Sequence, residues 1–133
     1  MTELPRLLPV DDDIDTGPFF EAARRNELVI QHCNCCDAVL HVPRAYCSDC
    51  GSWDTRWQRV SGKATLYSWT VVTHQVHPAY PVPYTVLLVK LDDCGAKLIG
   101  SMPGTQKLRI GQPMEVWFEQ LDDGVVIPNW RPA

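Results

Sequence analysis

The sequence has 133 residues, which suits one domain of ordinary size or two small modules. Hydrophobic residues make up 45% of the chain and charged residues 21%, a globular composition that argues against intrinsic disorder. The net charge of −4 disfavours generic nucleic-acid binding, because phosphate neutralisation supplies most non-specific affinity. No run approaches the roughly 20 apolar residues of a membrane helix, and the first residues do not resemble a signal peptide. We therefore expect a cytoplasmic protein that does not bind a membrane.

Residues 1–26 predict an extended, proline-interrupted arm followed by a short helix. Pro18 suits the first helical turn, where its missing N–H group costs nothing. Asn26 suits the end of the helix, since asparagine tolerates the left-handed conformation found there. Such a short helix is marginal alone. It is expected to pack against the rest of the chain, or against a partner protein.

Two Cys-x-x-Cys pairs form the most specific motif of the chain. Cys33 and Cys36 make the first pair, and Cys47 and Cys50 the second, with ten residues between the pairs. Four thiolates at this spacing predict a tetrahedral site holding one structural zinc ion. Reduced buried thiols and disulfides are the alternatives, although disulfides are rare in the cytosol. Iron, as in a rubredoxin-like electron carrier, is a further alternative metal.

Residues 27–57 are interpreted as a rubredoxin-like zinc ribbon around these cysteines. A strand is predicted over 27–32 before the first pair, and a returning strand over 38–42 after it. A closed site of four thiolates leaves no position for a reactive water, so a structural role is expected. Cys35 and Cys94 are interpreted as bystanders.

Residues 58–133 predict an all-β module of the mainly β chain. Five segments are rich in β-branched and aromatic residues, and a proline-rich loop over 74–83 separates the first two. Five strands in about 70 residues are typical of a small OB-fold barrel. The predicted strands cover 64–72, 84–91, 96–102, 113–119 and 125–130.

Histidine and tryptophan side chains are further candidates for functional groups. The four histidines lie at positions 32, 41, 74 and 77, and none is clearly teamed with a nucleophile and a carboxylate. No catalytic constellation is therefore predicted. Trp53, Trp57 and Trp69 are expected to pack in the core or between modules, although an exposed aromatic ring could stack on adenine.

The order of short motifs resembles a known family. It runs from the short helix through both cysteine pairs, with Pro43-Arg44 between them, to Ser61-Gly62, 67–72, Pro83-Tyr84, 89–92 and Ile110-Gly111. The chain is similar over about residues 15–131 to the zinc-ribbon/OB-fold proteins associated with thiolase-like enzymes of acyl-CoA metabolism. It departs from that family at Asp37, where glycine is usual, and in the extra thiol of Cys35.

The resemblance implies an accessory role rather than catalysis. Members of the family pair with thiolase-like or aldolase enzymes in hetero-oligomers, and they are proposed to help bind acyl-CoA. Arg44 matches a family position, and its charge could meet CoA phosphates or an acidic patch of a partner. Trp69 is the aromatic candidate for the same ligand. The alternative function is a nucleic-acid-binding module, because OB-fold barrels and zinc ribbons both serve that purpose.

Overall fold

The computed structural model describes residues 5–133, so residues 1–4 of the predicted arm lie outside the described part of the chain. One helix and seven strands follow one another. No helix within residues 5–133 is long and apolar enough to cross a bilayer. The elements are α1 (Gly17–Arg24), β1 (Leu28–Cys33), β2 (Thr55–Val60), β3 (Lys63–Val72), β4 (Tyr84–Leu91), β5 (Lys97–Pro103), β6 (Pro113–Gln120) and β7 (Val126–Pro132), with a short 3-10 helix at Asp122–Gly124 before β7.

The helix α1 forms where the sequence predicts it and packs against β1 and β7. Ala22 and Ala23 are its buried residues, so its small side chains allow a close approach to the sheet. Asn26 has a φ of 57°, which confirms the predicted left-handed end of the helix. The helix is therefore stabilised by packing against β1 and β7, as expected for a helix too short to be stable alone.

A two-stranded antiparallel sheet of β1 and β2 forms the base of the ribbon. Leu28 faces Val60 at one end and Cys33 faces Thr55 at the other. The predicted returning strand over 38–42 is wrong, because that segment forms only an isolated bridge between His32 and Val39. The strand that pairs with β1 along its whole length is β2. The sequence predicts a module boundary between residues 57 and 58, and β2 runs across that position.

The other five strands form an antiparallel sheet in the order β5-β4-β3-β6-β7. All five correspond to predicted strands, with ends that differ by at most two residues. The outer strands β5 and β7 lie against each other, so the sheet curves into a barrel. The amide N–H of Ser101 on β5 donates to Oδ1 of Asn129 on β7 at 2.9 Å, which joins these two edges.

The ribbon and the barrel share one hydrophobic core. Leu28, Ile30 and Val60 from the β1–β2 sheet belong to the same buried cluster as Trp130 and Leu87 of the barrel. Every residue of β1 is buried, which is typical of a strand covered on both faces. A second, smaller cluster of Cys33, Leu40 and Cys47 lies at the end of the β1–β2 sheet that carries the cysteines. The base of the ribbon is thus fixed by the barrel, while its tip depends on the cysteine cluster.

Candidate metal centre

The four predicted cysteine ligands come together at the tip of the ribbon. All four Sγ atoms lie within 4.8 Å of one another. The pair Cys33–Cys50 and the pair Cys36–Cys47 are each separated by 3.6 Å between Sγ atoms. A tetrahedral ion with sulfurs at about 2.3 Å places those sulfurs about 3.8 Å apart. The spacing therefore fits a four-sulfur metal site. Each of these two contacts joins a cysteine of the first Cys-x-x-Cys motif to a cysteine of the second.

Backbone N–H groups donate hydrogen bonds to a cysteine sulfur in the same way in both loops. The N–H of Cys35 points to Sγ of Cys33 at 3.3 Å, and the N–H of Asp49 points to Sγ of Cys47 at 3.4 Å. These two sulfurs are also the buried members of the set. Hydrogen bonds to a thiolate favour its charged form. The two buried sulfurs therefore lie where backbone N–H groups stabilise a thiolate.

The electrostatic consequence is clearest at Cys33. The N–H of Cys36, with that of Cys35, lowers the pKa of the Cys33 thiol to about 7, although desolvation opposes this shift. A thiol must lose its proton before it binds a metal ion. The hydrogen bonds around Cys33 thus favour the charged form of its sulfur, which is the form that binds a metal ion.

Gln31 is a supporting residue of this site that the sequence reasoning missed. Its amide lies buried in β1, where Nε2 donates to the carbonyl of Arg44 at 2.9 Å and to Oγ1 of Thr55 at 3.1 Å. The N–H of Arg44 in turn donates to Oε1 of Gln31 at 2.9 Å. One side chain thus attaches the segment between the two loops to both strands. The signal in the sequence was an amide that follows the apolar residues Leu28, Val29 and Ile30 of the strand.

The structure explains the unusual residue at the end of the first loop. Asp37 has a φ of 62°, and Gly51 occupies the matching place in the second loop with a φ of 79°. Aspartate tolerates this left-handed region better than most residues. The Asp37 carboxylate also forms an ion pair with Arg56 of β2. The hydrogen bond and charge of Arg56 lower the pKa of Asp37. The departure from glycine therefore adds a contact without blocking the turn.

Replacing Asp37 by valine is expected to lower the melting temperature of the metal-loaded protein by about 5 °C, because a β-branched residue is strained at positive φ. Asp37→Gly is the matched control and should melt close to the wild type, since glycine relieves the backbone while an exposed ion pair contributes little. Differential scanning calorimetry measures both variants. Equal melting temperatures for the valine and glycine variants would show that the turn does not constrain this position.

The remaining sequence candidates are dispersed over the molecule. His32 is buried in β1, and burial lowers the pKa of His41, with the charge of Arg44 acting in the same direction. His74 and His77 lie in the loop between β3 and β4. The prediction that Trp53 is a packing residue is wrong: its side chain is 73% exposed and contacts Tyr46, with ring centroids 5.3 Å apart.

The two predicted ligand-binding residues lie on different modules. Arg44 lies between the cysteine loops, where its Nη1 donates to Oγ of Ser48 at 2.7 Å and its Nε to the carbonyl of Val42 at 3.3 Å. Trp69 lies on β3, half-buried against the barrel core. Arg44 has no acidic partner among residues 5–133. Its positive charge is thus not neutralised by a carboxylate in this part of the chain.

The fold and the cysteine centre together define a class of protein, a rubredoxin-like zinc ribbon followed by an OB-fold barrel. Two family models match in that order: the ChsH2 rubredoxin-like zinc ribbon domain over residues 20–54, and the ChsH2 C-terminal OB-fold domain over residues 57–119. The chain belongs to the ChsH2 family, which confirms the predicted fold class and the resemblance.

Individual relatives agree with this assignment. The chain is 36% identical over 121 residues to a probable enoyl-CoA hydratase alpha subunit of Thermomonospora curvata, a match that covers 90% of this chain. It spans only 38% of the length of that relative. A solved structure described as Ltp2-ChsH2(DUF35) aldolase is 35% identical with a TM-score of 0.82, covering 94% of this chain and 98% of the other.

A DUF35-family protein of unknown function from Sulfolobus solfataricus is similar at a greater distance. It shares 15% identity and a TM-score of 0.60, and the match covers 79% of this chain and 77% of that chain. At this level of identity the likeness supports the fold alone. The ribbon-plus-barrel arrangement is therefore common to sequences that differ at most positions.

Proposed function

We propose that this chain is a non-catalytic accessory subunit of a thiolase-like or aldolase-type enzyme of acyl-CoA metabolism. The observation that carries the proposal is the match to the ChsH2 chain of an aldolase over nearly the whole of both chains. The relative named as a subunit of an enoyl-CoA hydratase supports the same area of metabolism. The role of the chain is to bind and stabilise the partner enzyme and to help it hold the acyl-CoA.

The metal in this proposal is one structural zinc ion per chain. Cys33, Cys36, Cys47 and Cys50 supply four sulfur ligands, the set that closes a tetrahedral zinc site. When bound, zinc supplies no reaction chemistry at such a site, because no position is open to water or substrate. The cysteines instead fix the ribbon tip, whose cluster of three buried residues is too small to fold alone.

Arg44 and Trp69 are proposed as contacts for acyl-CoA or for the partner. The guanidinium of Arg44 is positioned by the carbonyl of Val42 and the hydroxyl of Ser48, neither of which neutralises its charge. A phosphate of CoA is a suitable ligand for such a group, since guanidinium matches phosphate geometry. Trp69 lines a shallow, mainly apolar pocket of about 200 Å³ on the barrel together with Ile99 and Leu88. An adenine ring or an acyl chain suits such a surface.

Co-expression with thiolase-like enzymes of the source organism tests the proposal. Alone, the chain should show no thiolysis, condensation or retro-aldol turnover of acyl-CoA substrates. With the correct enzyme it should elute as a hetero-oligomer and raise the soluble yield or turnover of that enzyme. Turnover by the isolated chain would contradict the non-catalytic role. Failure of every such enzyme to associate would contradict the accessory role.

A further inference from the structure

A groove on the barrel lies away from the cysteine centre. Its volume is about 520 Å³, within the range of about 300 to 1,000 Å³ that is common for ligand sites. Three aromatic rings, a methionine and two prolines make most of its wall, and a single carboxylate lies among them. The residues that line it are Arg6, Ala79, Tyr80, Pro81, Tyr84, Ser101, Met102, Pro103, Trp117, Glu119 and Asn129.

The carboxylate of Glu119 is held in place by the barrel itself. Asn129 is 4% exposed, and its Oδ1 accepts the N–H groups of Ser101 at 2.9 Å and of Trp130 at 2.8 Å. These bonds direct its Nδ2 towards Oε1 of Glu119 at 3.4 Å. The Glu119 side chain is 18% exposed, so its charge needs a partner that replaces water. The barrel therefore presents a fixed, partly buried anion among aromatic rings.

In this structure the arm of the same chain supplies that partner. Nη1 of Arg6 donates to Oε2 of Glu119 at 2.8 Å, and the guanidinium carbon lies 5.6 Å from the ring centre of Tyr80. The N–H of Leu7 donates to the hydroxyl of Tyr80 at 3.0 Å. An anion beside an aromatic face is a suitable environment for a guanidinium group. The buried Nε of Arg6 has no acceptor among the described residues.

The groove side of this contact is held more firmly by the fold than the arm side. Glu119 and Asn129 belong to paired strands of the barrel, whereas Leu7 and Val10 on the arm are 67% and 66% exposed. Empty volume of about 520 Å³ also remains beside Arg6. The strand side of the groove is thus held by the barrel, and the arm is the more exposed side of the contact.

We propose that this groove binds an arginine side chain of a partner polypeptide, and that Arg6 occupies it as an internal substitute until the partner arrives. The identity of the partner as an enzyme subunit rests on the function proposed above, but the recognition of a guanidinium group by Glu119 and Tyr80 does not. Arg6 therefore acts as a latch that competes with the partner. An Arg6 side chain that fills the groove about nine-tenths of the time weakens the apparent affinity of the groove for the partner about ten-fold.

A capped peptide with the sequence Pro5-Arg6-Leu7-Leu8 is the probe that tests this site. It is titrated into ¹⁵N-labelled full-length protein while the indole N–H signal of Trp117, assigned with Trp117→Phe, is followed by NMR. Arg6→Ala should bind the peptide with a Kd at least about ten-fold lower than the wild type, because the competing latch is gone. The same peptide with citrulline, which is neutral, in place of arginine should not bind Arg6→Ala measurably.

Two further variants separate recognition of the arginine peptide by the groove from effects of removing any surface charge. Arg25→Ala removes an exposed arginine of the helix end and should leave the Kd of the wild type unchanged. Adding Glu119→Gln to Arg6→Ala should raise the Kd at least about ten-fold, since the fixed charge is lost. An equal Kd for Arg6→Ala and the wild type, or equal binding of the citrulline peptide, would overturn the assignment. Neither result depends on whether an enzyme co-purifies with the chain, so the two proposals can fail separately.

Discussion

Replacing Cys47 by serine is expected to abolish stoichiometric metal binding and to unfold the ribbon tip. Cys47 is fully buried, and with Cys33 and Leu40 it makes up the small cluster that lies beyond the shared core. Binding of zinc to four-ligand sites of this kind contributes about 10 to 16 kcal/mol, as much as the whole stability of a typical domain. Apolar burial by three residues cannot compensate for that loss.

Metal analysis and hydrogen exchange measure this effect together. The zinc content of Cys47→Ser should fall well below one per chain, and amides of residues 33–54 should lose protection. Strands β3 to β7 should remain protected, because their core is supplied mainly by the barrel. Cys35→Ser is the matched control: Cys35 is exposed, and its sulfur is not among the four that come together. Unchanged protection of 33–54 in Cys47→Ser would contradict the structural role of the metal.

Replacing Trp130 by alanine is expected to lower the free energy of unfolding by about 3 to 5 kcal/mol, the usual cost of removing a large buried aromatic side chain. Trp130 is the largest fully buried side chain of the described residues, and it lies where β7 meets β5. Gly100 of β5 packs so closely here that an added Cβ would lie 2.9 Å from its ring. The cavity left by alanine therefore opens the junction that closes the barrel.

Denaturant unfolding of the zinc-loaded protein measures the loss. Trp53→Ala provides the control, since Trp53 is 73% exposed and its removal should change the free energy of unfolding by no more than about 0.5 kcal/mol. A similar small change in both variants would mean that Trp130 does not support the junction of β5 and β7. The comparison removes the same side chain from a core and from a surface of one molecule.

The sequence predicted the metal ligands and the barrel strands because both depend on local patterns. Cysteine spacing reports a short loop around an ion, and alternation of apolar residues reports a strand with one buried face. Strand β2 was missed because Thr55–Val60 is mostly polar, and only pairing with β1 makes it a strand. The segment after the first loop was predicted as a strand instead. It contacts β1 through the N–H of Leu40, which donates to the carbonyl of Gln31, and then ends.

The groove around Glu119 could not be predicted from the sequence, because its residues come together only in the folded chain. Arg6 and Glu119 are separated by 113 positions, and no periodicity connects an arm residue with a barrel strand. Asn129 orients the carboxylate only because β5 and β7 meet when the barrel closes. Contacts of this kind depend on the assembled fold. The same holds for Gln31, whose two partners lie 13 and 24 positions away.

In the function we propose, this chain assists a partner enzyme and catalyses no reaction of its own. Affinity purification of the tagged full-length chain from its source organism, followed by mass spectrometry and quantification of subunits, tests that claim most directly. We expect a thiolase-like or aldolase-type enzyme to be recovered in near-stoichiometric amount, together with about one zinc ion per copy of this chain. Recovery of the zinc-loaded chain without any such enzyme would contradict it.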